Sequence, residues 1–160
     1  EVDWCSMDDD IQFDQFLSSI DTIFYGRRSY ELWGNYEPDE NASSTEVDLY
    51  TAIHTKEKYV FSTTKSEDDS NAIFVKDDIE NKVKEIKSKP GRNIWLYGGA
   101  NLIKTFIDLN LVDEYRLAIH PIILGSGKPL FSNISRRIGL RLAQVNTSKS
   151  GVVQLCYERV

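Results

Sequence analysis

The stretch "YGRRS" carries residue types that bind phosphate. Gly26 allows the chain to turn, Arg27 and Arg28 provide forked donors, and Ser29 adds a hydroxyl group where a helical pattern starts. Guanidinium groups and the start of a helix act on the same anionic oxygen atoms, so the stretch suits a phosphate group. Two adjacent arginines are equally common at a solvated helix start, and this stretch alone leaves both interpretations open.

A glycine pair forms the second candidate. Gly98 and Gly99 stand between the apolar block "IWLY" and a helical pattern that opens with Ala100, Asn101 and Leu102. Because glycine has no side chain, such a turn lets a diphosphate come into contact with the backbone. The spacing is not the GxGxxG fingerprint of dinucleotide-binding folds, and an ordinary turn after a strand explains the pair nearly as well.

The third candidate is the turn "STTK". Ser62, Thr63, Thr64 and Lys65 follow a strand pattern and offer hydroxyl and ammonium donors, although a polar turn is the better explanation for them in isolation. In an open parallel sheet, the carboxyl ends of the strands and the starts of the following helices share one edge. One ligand with several separated phosphates, such as a dinucleotide with an extra 2′-phosphate, would therefore explain all three stretches.

The apolar patterns predict the elements that position these turns. Helical spacing appears in "DIQFDQFLSSI", after "YGRR", in "EVDLYTAIHTKEK", in "DDIENKVKEIKSK" and after the glycine pair. Strand patterns alternate with these helices, and the apolar stretch "DEYRLAIHPIILGSGKPLF" predicts one long strand. The last two strands surround a Ser-Lys-Ser-Gly turn. This order predicts an α/β fold with a mostly parallel sheet, helices on both faces and a C-terminal antiparallel hairpin.

Length and charge limit the function classes. The 160 residues fit one domain covering 1–160, and a formal charge of −6 argues against sequence-independent binding to nucleic acid or to an anionic membrane. The sequence has no long apolar run and no signal-peptide pattern, so we expect a cytoplasmic protein without membrane partners. Cys5 and Cys156 are expected to be reduced thiols. The first residue is Glu1 rather than Met, so we expect an upstream segment.

Four motifs together resemble a known family. "DTIFYGRRSYELW", "KYVFSTT", "IWLYGGANLIKTF" and "HPIILGSGKPLF", in this order and spacing, resemble the dihydrofolate-reductase-like family. Within it they are most similar to the branch typified by the reductase domain of riboflavin biosynthesis, the RibD C-terminal domain. The resemblance implies a three-layer α/β/α fold that binds NADPH and is usually a homodimer in this branch.

The resemblance also implies roles for the three turns. Arg27 corresponds to the arginine that binds the adenosine 2′-phosphate in the family. Arg28 and Ser29 correspond to family residues that contact the pyrophosphate. Residues 63–65 fall beside the adenosine. The glycine pair matches one that is often joined by a cis peptide, and residues 100–102 begin the helix that covers the pyrophosphate.

Two departures from the family concern the reacting end of the site. The family's first strand, which lines the nicotinamide, is not found after Glu1, so we expect this domain to lack that strand in the 160 residues. Asp10 lies at a distance that suits the family's proton donor, although its position in "DDD" is better explained as a helix cap. His54 and His120 are too few and too far apart for a metal site or a catalytic triad.

These observations predict an NADPH-dependent reductase that transfers a hydride to a polarised C=N or C=O carbon. The acceptor would be a small pterin-like or pyrimidine-like heterocycle or a carbonyl compound, as in 5-amino-6-(5-phosphoribosylamino)uracil reductase or dihydrofolate reductase. The alternative is a non-catalytic module that binds nucleotide or forms dimers on the same fold. The apolar segments "RLAIHPIIL" and "VVQLCYERV" favour a homodimer, because a second copy would cover surplus apolar surface.

Overall fold

The computed structural model describes residues 13–42, 44–65 and 71–160. The helices are α1 (Phe13–Ser19), α2 (Arg27–Ser29, continued by a π-helical turn at Tyr30–Gly34), α3 (Ser44–His54), α4 (Ile79–Lys87) and α5 (Ala100–Asp108). The strands are β1 (Ile20–Gly26), β2 (Glu57–Phe61), β3 (Ile73–Val75), β4 (Asn93–Gly98), β5 (Glu114–Ile119), β6 (Leu140–Thr147) and β7 (Val153–Arg159). Among these helices, none has the length and apolar character that crossing a membrane requires.

The first four strands form a parallel sheet in the order β3-β2-β1-β4. Strand β1 lies inside this sheet, and its apolar run is buried on both faces, as expected for a central parallel strand. Ile23 and Tyr25 point to one face and Phe24 to the other, because side chains alternate along a strand. The sequence-based prediction of a parallel sheet is therefore confirmed.

Helices cover both faces of the parallel sheet. On one face, α4 and α5 pack onto Phe24 through Val83, Ile86 and Phe106. On the other face, α1 and α3 bury their apolar residues against Ile23, Tyr25 and Val60. The result is the predicted three-layer α/β/α arrangement.

Helix α2 begins after Gly26, as its sequence pattern predicts, and changes to π-helical geometry at Tyr30. Three residues of α-helix pass into the π-helical turn, in which Tyr30 is buried and Trp33 is half-buried. Leu32 lies two residues after Tyr30, on the other side of the helix, and is 66% exposed. Tyr30 and Trp33 therefore pack against the core, whereas Leu32 does not.

The last three strands form an antiparallel sheet in the order β5-β7-β6. The predicted hairpin turn lies between β6 and β7, where the Ser148 N–H donates to the Val152 carbonyl oxygen at 2.9 Å. Gly151 closes this turn with φ +87, a conformation that favours glycine. The predicted C-terminal antiparallel hairpin is confirmed.

The predicted long strand over "DEYRLAIHPIILGSGKPLF" is only partly present. Strand β5 ends at Ile119, and its ladder with β7 ends at the same residue. Pro121 has no N–H group to donate, so it cannot continue the ladder. The apolar residues beyond it lie in irregular structure, where Ile122 and Leu124 are about half exposed and Ile123 is 96% exposed.

A gap separates the two sheets. Strand β4 is the outer strand of the parallel sheet and β5 is the outer strand of the antiparallel sheet. Residues of both strands, including Trp95, Leu96, Tyr115 and Leu117, line one cavity of about 880 Å³. The apolar block of β4 is consequently only half-buried, although its composition is that of a strand covered on both faces.

Candidate functional site

The ends of three parallel strands meet at one edge of the sheet. In the strand register, Gly26 stands opposite Phe61 of β2, and Tyr25 stands opposite Gly98 of β4. The turn at Ser62 begins directly after Phe61. The fold therefore brings the three predicted phosphate-binding turns together at the carboxyl edge of the sheet.

The two glycine turns touch each other through their backbones. A Cβ atom on Gly26 would lie 3.4 Å from the Gly98 carbonyl oxygen and 3.4 Å from the Gly99 nitrogen. A Cβ atom on Gly99 would lie 3.3 Å from the Ser29 Oγ. Gly98 has φ +116, and the peptide bond between Gly98 and Gly99 is cis. Side chains at these positions would fill the space between the turns, so glycine keeps backbone groups accessible there.

Both turns lead into helices whose N-caps are glycines. Gly26 precedes α2 and Gly99 precedes α5, and neither residue provides a side-chain cap. The first bond of α5 runs from the Ile103 N–H to the Gly99 carbonyl oxygen at 3.0 Å. The amides of residues 100–102 are the ones that an α-helix leaves without an intrahelical partner. These amide donors suit an anion. Leu102 offers only its backbone amide at this edge, because its side chain is buried in the core.

Arg27 forms an ion pair within its own helix. Its Nη1 donates to both carboxylate oxygens of Glu31, at 3.0 and 3.1 Å. Arg28 is exposed, and Ser29 is half-buried beside the glycine pair. Sequence reasoning missed Glu31, although the four-residue spacing between Arg27 and Glu31 on a predicted helix is the signal that would have found it.

The Ser62 hydroxyl determines the shape of the third turn. This hydroxyl is buried, and its oxygen accepts hydrogen bonds from the N–H groups of Thr64 at 3.3 Å and Lys65 at 2.9 Å. The side chains of Thr63 and Thr64 are exposed, and the Lys65 ammonium lies 5.6 Å from the centre of the Phe74 ring. Ser62 therefore holds the turn, while Thr63 and Thr64 face the outside.

Two tyrosines stand directly before the turn glycines. The rings of Tyr25 and Tyr97 lie 5.0 Å apart, and Trp95 lies 5.0 Å from Tyr97. Burial raises the pKa of Tyr97 to about 12 and holds the pKa of Tyr25 well above its ordinary value. The phenol oxygen of Tyr25 is buried and has no hydrogen-bond partner among the described residues. Sequence reasoning missed this neutral aromatic group, which is signalled by a tyrosine before each of Gly26 and Gly98.

The two histidines lie away from the glycine turns. His54 Nε2 lies 3.0 Å from the Tyr36 carbonyl oxygen, and its Nδ1 lies 3.2 Å from Glu37, so His54 connects the end of α3 to the preceding loop. His120 follows β5 and lines a second cavity. Within the described ranges, no group of three or more His, Cys, Asp or Glu side chains could hold a metal ion. Asp10 lies outside the described residues.

Comparisons with known proteins agree with this geometry. The uncharacterized protein YyaP of Bacillus subtilis (strain 168) is 54% identical over 157 residues, which cover 98% of this chain and 84% of YyaP. A Shewanella sp. PV-4 structure named as a candidate riboflavin biosynthesis protein has a TM-score of 0.79 at 20% identity, covering 100% of this chain and 88% of that one. Dihydrofolate reductase from Enterococcus faecalis, complexed with NADP(H), has a TM-score of 0.62 at 14% identity, covering 94% and 80%.

The two structural similarities establish the dihydrofolate-reductase-like fold and leave the activity open, because the identities are low. The family assignment rests on the sequence. The model of the RibD C-terminal domain matches residues 3–154, which is nearly the whole chain, and the resemblance of its motifs is thereby confirmed. The protein belongs to the RibD C-terminal domain family.

Proposed function

We propose that the protein is an NADPH-dependent reductase of a small heterocyclic or carbonyl compound. The proposal rests on one observation: Gly26 and the Gly98–Gly99 pair lie in contact at one edge of the parallel sheet. Arg27 and Arg28 follow Gly26 directly. This edge offers backbone donors, guanidinium groups and space that side chains would otherwise fill. These properties fit the diphosphate and the 2′-phosphate of NADPH.

Each part of the edge has a proposed task. The amides of residues 100–102 and the Arg28 and Ser29 groups hold the diphosphate, and Arg27 holds the 2′-phosphate. Residues 63–65 lie beside the adenosine. NADPH supplies the hydride, whereas the protein orients the reacting groups and keeps water away from them. Asp10 is retained as the proposed proton donor; Asp10→Asn should lower the turnover rate and leave NADPH affinity unchanged.

The family match favours a pyrimidine acceptor. The Shewanella structure is named for riboflavin biosynthesis, which favours a compound like 5-amino-6-(5-phosphoribosylamino)uracil over dihydrofolate. Oxidation of NADPH, followed by its absorbance with a panel of pyrimidines, pterins, quinones and small carbonyls, tests this proposal. Tight NADPH binding without oxidation by any of these acceptors would instead support the alternative, a non-catalytic nucleotide-binding module.

The assignment of the arginines has its own test. We expect NADPH to bind about tenfold or more tightly than NADH, because a charge-assisted bond to the 2′-phosphate contributes roughly 1.5–3 kcal/mol. Arg27→Ala should remove most of this preference, whereas Arg28→Ala should weaken both cofactors alike. Arg137→Ala is the control, since Arg137 is an exposed arginine of the irregular segment that follows β5. Equal calorimetric affinities of the unmodified protein for the two cofactors would exclude the assignment of Arg27.

We also propose that the protein is a homodimer. Apolar side chains are exposed on β6 and on the segment after β5, including Ile122, Ile123, Leu124, Leu130, Leu142 and Val145. A second copy would remove this apolar band from water. Sedimentation should show a dimer that Ile123→Lys converts to a monomer, whereas Thr51→Lys on α3 adds the same charge outside the band. A monomer at micromolar concentration would contradict this proposal.

A further inference from the structure

We propose that Glu31 limits the preference of this site for NADPH over NADH. The inference rests on the proposed function, in which Arg27 receives the 2′-phosphate. Glu31 pairs with the same guanidinium group in the structure, so a phosphate bound to Arg27 would lie close to a second anion. Glu31 is therefore a specificity-determining residue for the cofactor.

The geometry of the ion pair leaves part of the guanidinium group available. A single nitrogen, Arg27 Nη1, donates to both oxygens of Glu31, at 3.0 and 3.1 Å. The other two guanidinium nitrogens make no hydrogen bond to the residues that the structure describes. A phosphate can approach those nitrogens while Glu31 remains in place. The two anions would then share one arginine and repel each other.

The ion pair between Arg27 and Glu31 is weak enough for a phosphate to disturb it. The Arg27 and Glu31 side chains are 37% and 40% exposed, so water weakens their attraction and the phosphate can displace the carboxylate. Displacement would weaken the repulsion without removing it, because the backbone of Glu31 stays one helical turn from Arg27. NADH has a neutral ribose hydroxyl group at this position, and that hydroxyl can donate a hydrogen bond to a carboxylate. The repulsion between Glu31 and the 2′-phosphate therefore weakens NADPH binding, and NADH lacks the group that is repelled.

The test replaces Glu31 with its neutral isostere. Glu31→Gln removes the negative charge and retains an oxygen that accepts the ribose hydroxyl. It should tighten NADPH binding by about threefold to tenfold, the range expected for one partly screened like-charge contact, and change NADH affinity by less than about twofold. Higher salt should shrink the gain, because ions screen the repulsion between carboxylate and phosphate.

The chain offers a matched control on a different helix. Glu80 forms an ion pair with Lys84 at the same four-residue spacing, with Nζ and Oε1 2.5 Å apart and the Glu80 side chain 46% exposed. It lies on α4, outside the proposed cofactor site. Glu80→Gln changes the net charge by the same one unit and should leave the affinities for both cofactors unchanged. Any effect of net charge alone would appear equally in both variants.

Calorimetric titration of the full chain and the two variants with NADPH and NADH, at low and at physiological salt, decides the question. Tighter NADPH binding in Glu31→Gln only, with a gain that falls as salt rises, is the expected result. Unchanged or weaker NADPH binding in Glu31→Gln would overturn the inference and make Glu31 a residue that positions Arg27. If the unmodified chain binds neither dinucleotide, the proposed function itself fails, which is a different outcome.

Discussion

The parallel and antiparallel halves of the molecule differ in how completely they are covered. Strand β1 of the parallel sheet is buried for most of its length, with helices on both faces. Strand β6 of the antiparallel sheet is exposed along nearly all of its length. The glycine turns of the candidate site lie on the covered half. A diphosphate site made of backbone groups needs fixed atoms, and strands that are packed on both faces provide them.

The gap between the halves is lined by apolar side chains from both sheets, Trp95 and Leu96 of β4 and Leu117 of β5. Among the described residues, the outer edges of β4 and β5 pair with no further strand, whereas β1 is paired on both sides. Amide hydrogen exchange should therefore be faster at the outer edges of β4 and β5 than in β1.

The largest expected effect compares a phenylalanine from each half. Phe106 is 2% exposed, and its ring lies 5.7 Å from Phe24 and 5.3 Å from Phe61, so Phe106→Ala should lower the free energy of unfolding by roughly 3–5 kcal/mol. Phe131 is 44% exposed, and Phe131→Ala should cost less than about 1 kcal/mol. Urea denaturation followed by circular dichroism measures both values. The comparison is made at a protein concentration at which the chain is monomeric, and equal losses there would contradict the difference in burial between the two rings.

A glycine from each half gives the next largest effect. A Cβ atom on Gly34 would lie 2.4 Å from Tyr30 Cδ2 and 3.2 Å from Tyr25 Cζ, and both tyrosines are fully buried. Gly34→Ala should therefore destabilise the fold by about 1–3 kcal/mol through overpacking. Gly127 has nothing within 4 Å of the same position, so Gly127→Ala should be nearly neutral. A shift in thermal midpoint that is equal for both variants would contradict this difference.

Much of the covered half could be predicted from the sequence. Alternating strands and helices predict a parallel sheet, and a parallel sheet places the turns after β1, β2 and β4 at one edge. The contacts within those turns could not be predicted, because the same side chain can bind a ligand or the protein itself. The Ser62 hydroxyl holds its own turn, and Arg27 is paired with Glu31.

The antiparallel half was predicted less well, for a reason that lies in a few residues after β5. The apolar run after His120 has the composition of a strand, but Pro121 ends the ladder of β5 and leaves Ile123 exposed. Apolar composition alone does not distinguish a strand from a surface that a partner covers. The hairpin was predictable because its turn has a residue pattern of its own, ending at Gly151.

The smallest expected effect concerns a contact that joins the two halves. Asp108 at the end of α5 pairs with Lys104 and accepts hydrogen bonds from the Ser135 hydroxyl at 2.8 Å and the Ser135 N–H at 3.3 Å. The Lys104 bond, followed by those from Ser135, lowers the pKa of Asp108 to about 2 from its ordinary value of 3.8. Because the folded pKa is the lower one, the stabilisation from this contact is fully present above about pH 4 and is lost as the pH falls through about 2.

Nuclear magnetic resonance of the Ser135 amide measures this contact directly. Its chemical shift should titrate with a midpoint near pH 2, which is the folded pKa of Asp108. Asp108→Asn should abolish that titration and lower the thermal midpoint near neutral pH only slightly, because solvent screens this exposed contact. Asp77→Asn is the control, since Asp77 is an exposed acid before α4. A titration midpoint at the ordinary aspartate value would mean that Asp108 does not hold the irregular segment to α5 in solution. The Asp108–Ser135 contact would then not join the antiparallel half to the parallel half. Amide hydrogen-exchange rates in the antiparallel half should in that case not change when Asp108 is protonated.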